Sequence, residues 1–362
     1  MKLKRPKLKL KPQHVIHKVR KTVTSHQPGE SEPVRDLPRI TNETVAEHRE
    51  AVLSRARKYV YPLPHSKHRI VKLSMAIVVV AVLVFFAWCG LALYRFQSTS
   101  AFTYDVTRVF PFPVAKVGSR FIAYENYLFE LRRNMHYYET QQKVDFGSTD
   151  GKRRLVIYKK QAMQDVINNT YVKQLAAEHH VSVSDQEVNN EVALVQSENR
   201  LGGNQQVFED VLSEFWGWTM SDFKRELKQQ LLAEKVVSTL DTATHQRAQQ
   251  ALNALQHGAK FADIAKQSSD DVVTRNQGGQ YAGTIAKSDR DISPQVAAEL
   301  FKLKPGQTSG IINSGTSLEI VKVISRQGDK VKAAHIEFEF KDVNTYINGV
   351  AAKEAAHKYI HV

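Results

Sequence analysis

The longest apolar run, Leu73 to Tyr94, holds 22 uncharged residues. As a helix rising about 1.5 Å per residue it crosses the roughly 30 Å hydrocarbon core of a bilayer. On its N-terminal side, Val45, Val52, Leu53, Ala56 and Tyr59 recur at near-helical spacing and predict a helix over Glu43 to Val60. Beyond the run, a short Pro-containing stalk, Phe110 to Pro113, leads to a brief β-prone stretch. A turn at Gly118 and an amphipathic helix beginning near Ala123 follow. Apolar steps of three and four through Leu155, Met163, Val166, Ile167 and Leu175 predict a helix from Arg154 to His179. Ser184 and Glu187 form a capping-box signature for the next helix, which Gly202 and Gly203 break. Helices are expected over Val207 to Phe215 and Met220 to Leu240, with no strand pattern between residues 123 and 240.

The pattern then becomes mixed. His245 to His257 reads as a helix ended by Gly258, Phe261 to Gln267 as another, and Ser293 with Pro294 opens a third. Between and after them come a Gly278-Gly279 turn, a turn at Lys304 to Gln307 and a strand-like run from Ser317 to Ile324. Lys330 to Phe340 alternates with period two, sending Ile336, Phe338 and Phe340 to one face and His335, Glu337 and Glu339 to the other. Residues 342–362 read as a C-terminal helix.

Charge sharpens this division. Of the net +14, residues 1–72 carry 18 Lys and Arg against 6 Asp and Glu, while residues 101–362 are nearly balanced. The basicity therefore belongs to a largely unstructured tail, which fits anionic lipid head groups at the membrane surface better than nucleic acid. Lys67, Arg69 and Lys72 crowd the first end of the apolar run and only Arg95 follows it. The positive-inside rule then predicts a retained single-pass anchor with its N-terminus cytoplasmic and residues 97–362 extracytoplasmic. One cysteine, Cys89, excludes a disulfide framework and a cysteine-ligated zinc. No GxSxG elbow or HExxH motif marks a hydrolase, and no cofactor or metal is expected.

The helical segments Val114–Asn126, Ala177–Val188 and Phe208–Lys235 resemble the N-terminal chaperone region of bacterial SurA/PrsA-type foldases. The run Gly258–Asp271, then Gly278–Gly283, Pro294–Gly310 and Leu318–Val323 resembles a parvulin-type peptidyl-prolyl isomerase domain. These resemblances imply an α+β chain with one N-terminal transmembrane helix, a helical chaperone-like domain and a parvulin-like domain with a four-stranded antiparallel sheet. The corresponding boundaries are a basic tail over 1–72, an anchor over 73–95 and a stalk over 96–113. A helical domain over 114–240, a parvulin-like domain over 241–341 and a C-terminal helix over 342–362 complete the expectation.

A parvulin normally opens with a strand reading a-x-HIL, and none precedes His245 here; Lys330 to Phe340 has that look instead. Two arrangements remain open. The ribbon folds back to fill the missing place, making the domain circularly permuted, or residues 331–362 begin a truncated second unit. By resemblance the catalytic positions fall on Asp271, His335, Glu319, Ser314 and Thr316, and the proline socket on Tyr281, Ile292 and Val296. Glu319 stands where the family usually carries a second histidine, and Val296 where a large aromatic is usual. Glu319 reads either as a partner that raises the pKa of His335 or as a solvent-facing strand residue. Placing the two directly opposite requires an even register centred on Gln327, whereas a two-residue Gly328-Asp329 turn sets an odd register that parts them.

The implied function is a membrane-anchored foldase that isomerises X–Pro bonds and binds unfolded or proline-containing polypeptides. The alternative is a non-catalytic holdase or scaffold with a degenerate parvulin domain.

Overall fold

The computed structural model describes residues 41–60, 65–198 and 204–362. The basic tail before residue 41 and the expected break at Gly202 and Gly203 lie outside the described residues. The chain divides into two units, residues 1–80 and 81–362.

The first unit holds α1 (Asn42–Val60), close to the helix expected there, and the opening turns of α2 (His65–Gly90). The apolar helix from Arg69 to Arg95 is long and apolar enough to cross a membrane.

The second unit opens with the last turns of α2 and one π turn, Leu91–Arg95. Residues 96–113, expected as a stalk, instead hold α3 (Ala101–Val109), whose first turn is capped by Ser100 Oγ accepting from the Thr103 N–H at 3.2 Å. The hairpin β1 (Pro113–Val117) and β2 (Arg120–Ala123) follows, turning at Gly118 with φ +53°. Next come α4 (Tyr124–Thr140), α5 (Thr149–Glu178), α6 (Asp185–Glu198), α7 (Gln205–Trp216) and α8 (Met220–Leu240). The capping box forms as the sequence implies, with Ser184 Oγ accepting from the Glu187 N–H at 3.2 Å and Glu187 Oε2 accepting from the Ser184 N–H at 2.8 Å. Leu93, Tyr124, Tyr127, Leu128 and Met163 fill one core, and the Tyr124 hydroxyl donates to the Leu93 carbonyl at 2.7 Å.

The mixed half runs α9 (Thr242–Gln256), α10 (Phe261–Ser268), β3 (Ile285–Ala286), α11 (Pro294–Leu300), β4 (Ile312–Asn313), β5 (Ser317–Gln327) and β6 (Lys330–Glu339). Its sheet is antiparallel in the order β3-β6-β5-β4, so β6 is interior and lies beside its immediate predecessor. Both faces of the β5/β6 pair are covered. Leu318, Ile320, Ile336 and Phe338 pack with Ala248 of α9 and Phe261 and Ala265 of α10. Val321, Val323, Val331 and Ala333 pack on the other face with Ile285, Val296 and Leu300.

The end of the chain departs from expectation. Only α12 (Val343–Ala351) is helical; the following residues return to the helical half as β7 (His357–Lys358), paired with β1 in a sheet of order β2-β1-β7. The reason is an open strand edge on β1 beside a core with room for two isoleucines. Ile347 and Ile360 are buried with Tyr124 and Met163, and the Tyr359 N–H donates to the Val114 carbonyl at 2.9 Å. The mixed half is thus inserted into the helical half. Its two crossings meet at Asp241, whose carboxylate accepts from the Lys341 N–H at 2.9 Å and the Thr244 N–H at 3.2 Å.

Candidate active site

The strand pair that carries the site begins as an odd ladder. Across the Gly328-Asp329 turn, Gln327 faces Lys330, Arg326 faces Val331 and Ser325 faces Lys332. One residue is then skipped: Ile324 bulges out, and Val323 faces Ala333. The bulge changes the parity, so Val321 faces His335 and Glu319 faces Glu337, all on one face of the sheet. Neither expected register is present as stated. The turn is the two-residue form that by itself would part Glu319 from His335, and the extra residue brings them back together.

The His335 backbone N–H donates to the Gly279 carbonyl at 2.8 Å. Gly279 has φ +78°, and a Cβ there would sit 2.1 Å from the His335 carbonyl oxygen, so the Gly278-Gly279 turn can lie against β6 only as glycine. The imidazole is buried between two carboxylates, with Nδ1 3.0 Å from Glu319 Oε2 and Nε2 2.9 Å from Asp271 Oδ2. Tyr281 stacks on it with ring centroids 4.4 Å apart. Burial disfavours the charged ring, and hydrogen bonds and charge from Glu319 and then Asp271 outweigh it, so the pKa of His335 is raised.

Asp271 ends the turn after α10 and organises its own loop. Oδ1 accepts from the Val273 N–H at 2.9 Å, while Oδ2 accepts from the Thr274 N–H at 3.2 Å and the Thr274 hydroxyl at 2.5 Å. Partial burial works against its charge, but these donors and His335 hold the carboxyl down at about 2. Thr274 Oγ1 also lies 3.0 Å from His335 Nε2. The threonine was legible only as the fourth residue of an Asp-x-x-Thr turn, a signal too common to single it out.

The remaining expected residues scatter around this centre. Ser314 Oγ reaches the Ser317 hydroxyl at 2.8 Å, and Ser317 is diagonal on β5 to Glu337, the residue opposite Glu319. Thr316 is exposed at the start of β5 and joins the site only through its backbone, its carbonyl accepting from Phe340 N–H at 3.1 Å. Burial, followed by the charge of Glu319, raises the Tyr281 hydroxyl well above its usual range. Ile292 is almost enclosed and Val296 has no exposed surface, packed against Val321 and Leu300. Val272 and Val273, by contrast, stand exposed on the loop beside Asp271. A crevice of about 660 Å³ opens elsewhere, between α6 and α8 on one side and Ser293 to Gln295 and Asn313 to Gly315 on the other. Ser314 lines it; Asp271, Glu319 and His335 do not.

Comparison with known proteins gives two family matches. Residues 65–237 match the SurA-like N-terminal domain, and residues 231–325 match the PPIC-type PPIASE domain, a match that stops before β6. Among curated relatives, the foldase protein PrsA of Clostridium botulinum is 25% identical over 231 residues, covering 54% of this chain and 68% of the relative. Foldase protein PrsA 2 of Bacillus cereus is 26% identical over 216 residues, covering 53% and 66%. A solved structure of the peptidylprolyl isomerase PrsA from Bacillus anthracis is 19% identical over 53% of this chain and 88% of its own, with a TM-score of 0.18. By its two domains and its relatives, the chain is a foldase homologue of the PrsA kind, a SurA-like N-terminal domain joined to a PPIC-type domain, and by family a peptidyl-prolyl isomerase.

Proposed function

We propose that this chain is a single-pass membrane protein that isomerises X–Pro bonds in unfolded polypeptides outside the cytoplasm and holds such chains in its helical half. The observation that carries the catalytic reading is the clamping of His335 between Glu319 and Asp271 beneath Tyr281. Rotation about an X–Pro amide is opposed by a resonance barrier of about 20 kcal/mol, and a catalyst gains by favouring the twisted state, in which that resonance is lost. The resonance form places partial negative charge on the carbonyl oxygen. A carboxylate fixed beside that oxygen disfavours it, and Asp271 is ionised, anchored by four donors and more open to solvent than the histidine. Both His335 nitrogens are engaged within the protein, so His335 acts as a positioning residue that sets Asp271 and Tyr281. Tyr281, Ile292, Val272 and Val273 supply the apolar surface around the bond. The interior place of β6 and the end of the PPIC match at residue 325 support the circularly permuted order, with the 330–340 ribbon standing in for the opening strand.

The helix from Arg69 to Arg95 supports the membrane anchor, and the excess of Lys and Arg before it supports a cytoplasmic N-terminus. The crevice beside Ser314 supports the holding role. A holdase without turnover is the second reading, favoured by Val296, whose complete enclosure leaves no open socket beneath a proline ring.

The deciding experiment is proline-limited refolding of a client in the presence of the full chain. Acceleration of the slow phase at catalytic amounts, lost in Asp271→Ala, is expected. An unchanged slow phase at stoichiometric protein, with client aggregation still suppressed, would overturn turnover and leave the holdase.

A further inference from the structure

The apolar helix does not end where the folded domain begins. Cys89, Ala92 and Leu93 are buried against protein, so the last two turns of the span are flanked by the domain on one side. The 16 residues from Leu73 to Trp88 rise only roughly 24 Å, short of the roughly 30 Å of hydrocarbon, and the full run to Tyr94 is needed to cross. Those last turns therefore lie in the bilayer together with whatever flanks them.

The side chains that touch them are aromatic. Phe110 at the end of α3 meets Phe85 and Phe86 at ring distances of 6.0 and 5.2 Å, and Phe102 at its start meets Trp88 at 5.7 Å. The domain thus reaches back along the span past Cys89. The helix between these contacts turns its threonines inward and exposes apolar residues together with Asp105 and Arg108. Thr103 and Thr107 are buried, while Phe102 and Val109, seven residues apart and so on one face, are 59% and 71% exposed. Phe96, directly after the π turn, is 72% exposed. Phe96, Phe102 and Val109 suit acyl chains, while Asp105 and Arg108 on the same helix suit the head-group boundary.

Resting on the anchor reading above, we infer that α3 and the residues around it form a membrane-seated collar: Phe96, Phe102, Val109 and Phe110 lie in the outer leaflet beside the span, and the folded domain is seated on the bilayer rather than suspended above it. The partner is the lipid acyl region itself. Arg95 follows the span directly, and Arg108, stacked over Tyr104 at 5.9 Å, and Asp105 are the exposed charged groups of α3 that extend toward the head groups.

The test uses the full chain in phosphatidylcholine nanodiscs, with Cys89→Ala and single cysteines at Phe102, Val109 or Val273 carrying an environment-sensitive fluorophore. All three positions are exposed, so the fold tolerates the label. Labels at 102 and 109 are expected to lose most of their emission to lipids bearing a nitroxide near the head group and to resist aqueous iodide, with the reverse at 273. Labels at 102 and 109 that iodide quenches as readily as at 273, in a chain that alkaline carbonate does not extract from membranes, would overturn the collar and leave the anchor standing. Extraction by carbonate would remove the anchor reading and the collar with it.

Discussion

Glu319 and His335 hydrogen-bond at 3.0 Å although neither stands opposite the other: His335 faces Val321, and Glu319 faces Glu337. The pair is diagonal on one face, a separation that two long side chains readily span. Burial opposes charge on His335, and Glu319 is the first of the partners that outweigh it, so the ring is expected to titrate above its ordinary 6.5. A histidine with a raised folded pKa contributes its stability in full below the unfolded value and loses it as pH rises through the folded one. NMR titration of His335 should give a midpoint above 6.5, and Glu319→Gln should bring it down at a stability cost of about 1–3 kcal/mol. A midpoint that Glu319→Gln does not move would contradict the pairing.

The bulge gives a second expectation. Deleting Ile324, which is partly exposed and unpaired in the ladder, leaves Val323 facing Ala333 and Ser325 facing Lys332 without the interruption. The site pairing beyond it is unchanged. The His335 titration of the deletion variant should match the parent. A histidine that loses its carboxylate partner would show that the extra residue lies elsewhere.

At the junction of the two halves, Asp241 is buried and ties both crossings together through Lys341 and Thr244. Asp241→Ala strands these donors, and a loss of about 1–3 kcal/mol is expected for a buried group left without its partner. Hydrogen exchange of the Lys341 and Thr244 amides should accelerate more than that of the β5 and β6 amides. Uniform acceleration would mean that Asp241 serves only general stability.

Glu130 of α4 is buried in the helical half. Burial, then the charge of Glu226, pushes it up to about 7, against the pull of Arg133. A carboxyl raised above its usual 4.5 stabilises the fold while protonated, and that contribution fades as pH rises from 4.5 through about 7. Thermal unfolding should show Glu130→Gln gaining on the parent as pH rises across this window, by on the order of 2–3 kcal/mol at most. An equal pH profile for both proteins would argue against the buried acid.

Much of this was legible in the residues. The helices of the 123–240 region follow from three- and four-residue apolar steps, and the period-two run around His335 put Ile336 and Phe338 in the core as the structure has them. What could not be read depends on distant partners. A bulge at Ile324 leaves no mark in an alternating strand, because either ladder keeps its apolar residues. α3 was hidden because Phe102 and Val109 lie on its exposed side and Thr103 and Thr107 on its buried one. The strand at His357–Lys358 exists only because β1 offers an edge more than 200 residues earlier in the chain. Thr274 and Ser317 are small hydroxyl residues whose roles arise from what the fold sets beside them.

The return of Ile360 and the 357–358 strand to the helical half imposes an order of events on biogenesis. As the polypeptide emerges, the inserted sheet has all of its own strands before the residues that close the earlier half have been synthesised. The inner part can therefore mature first, while the outer part waits for residues 357–361, where Gln97 reaches across to the His361 carbonyl. A chain without residues 357–360 keeps every strand of the inserted sheet and lacks the strand and the isoleucine that close the helical half.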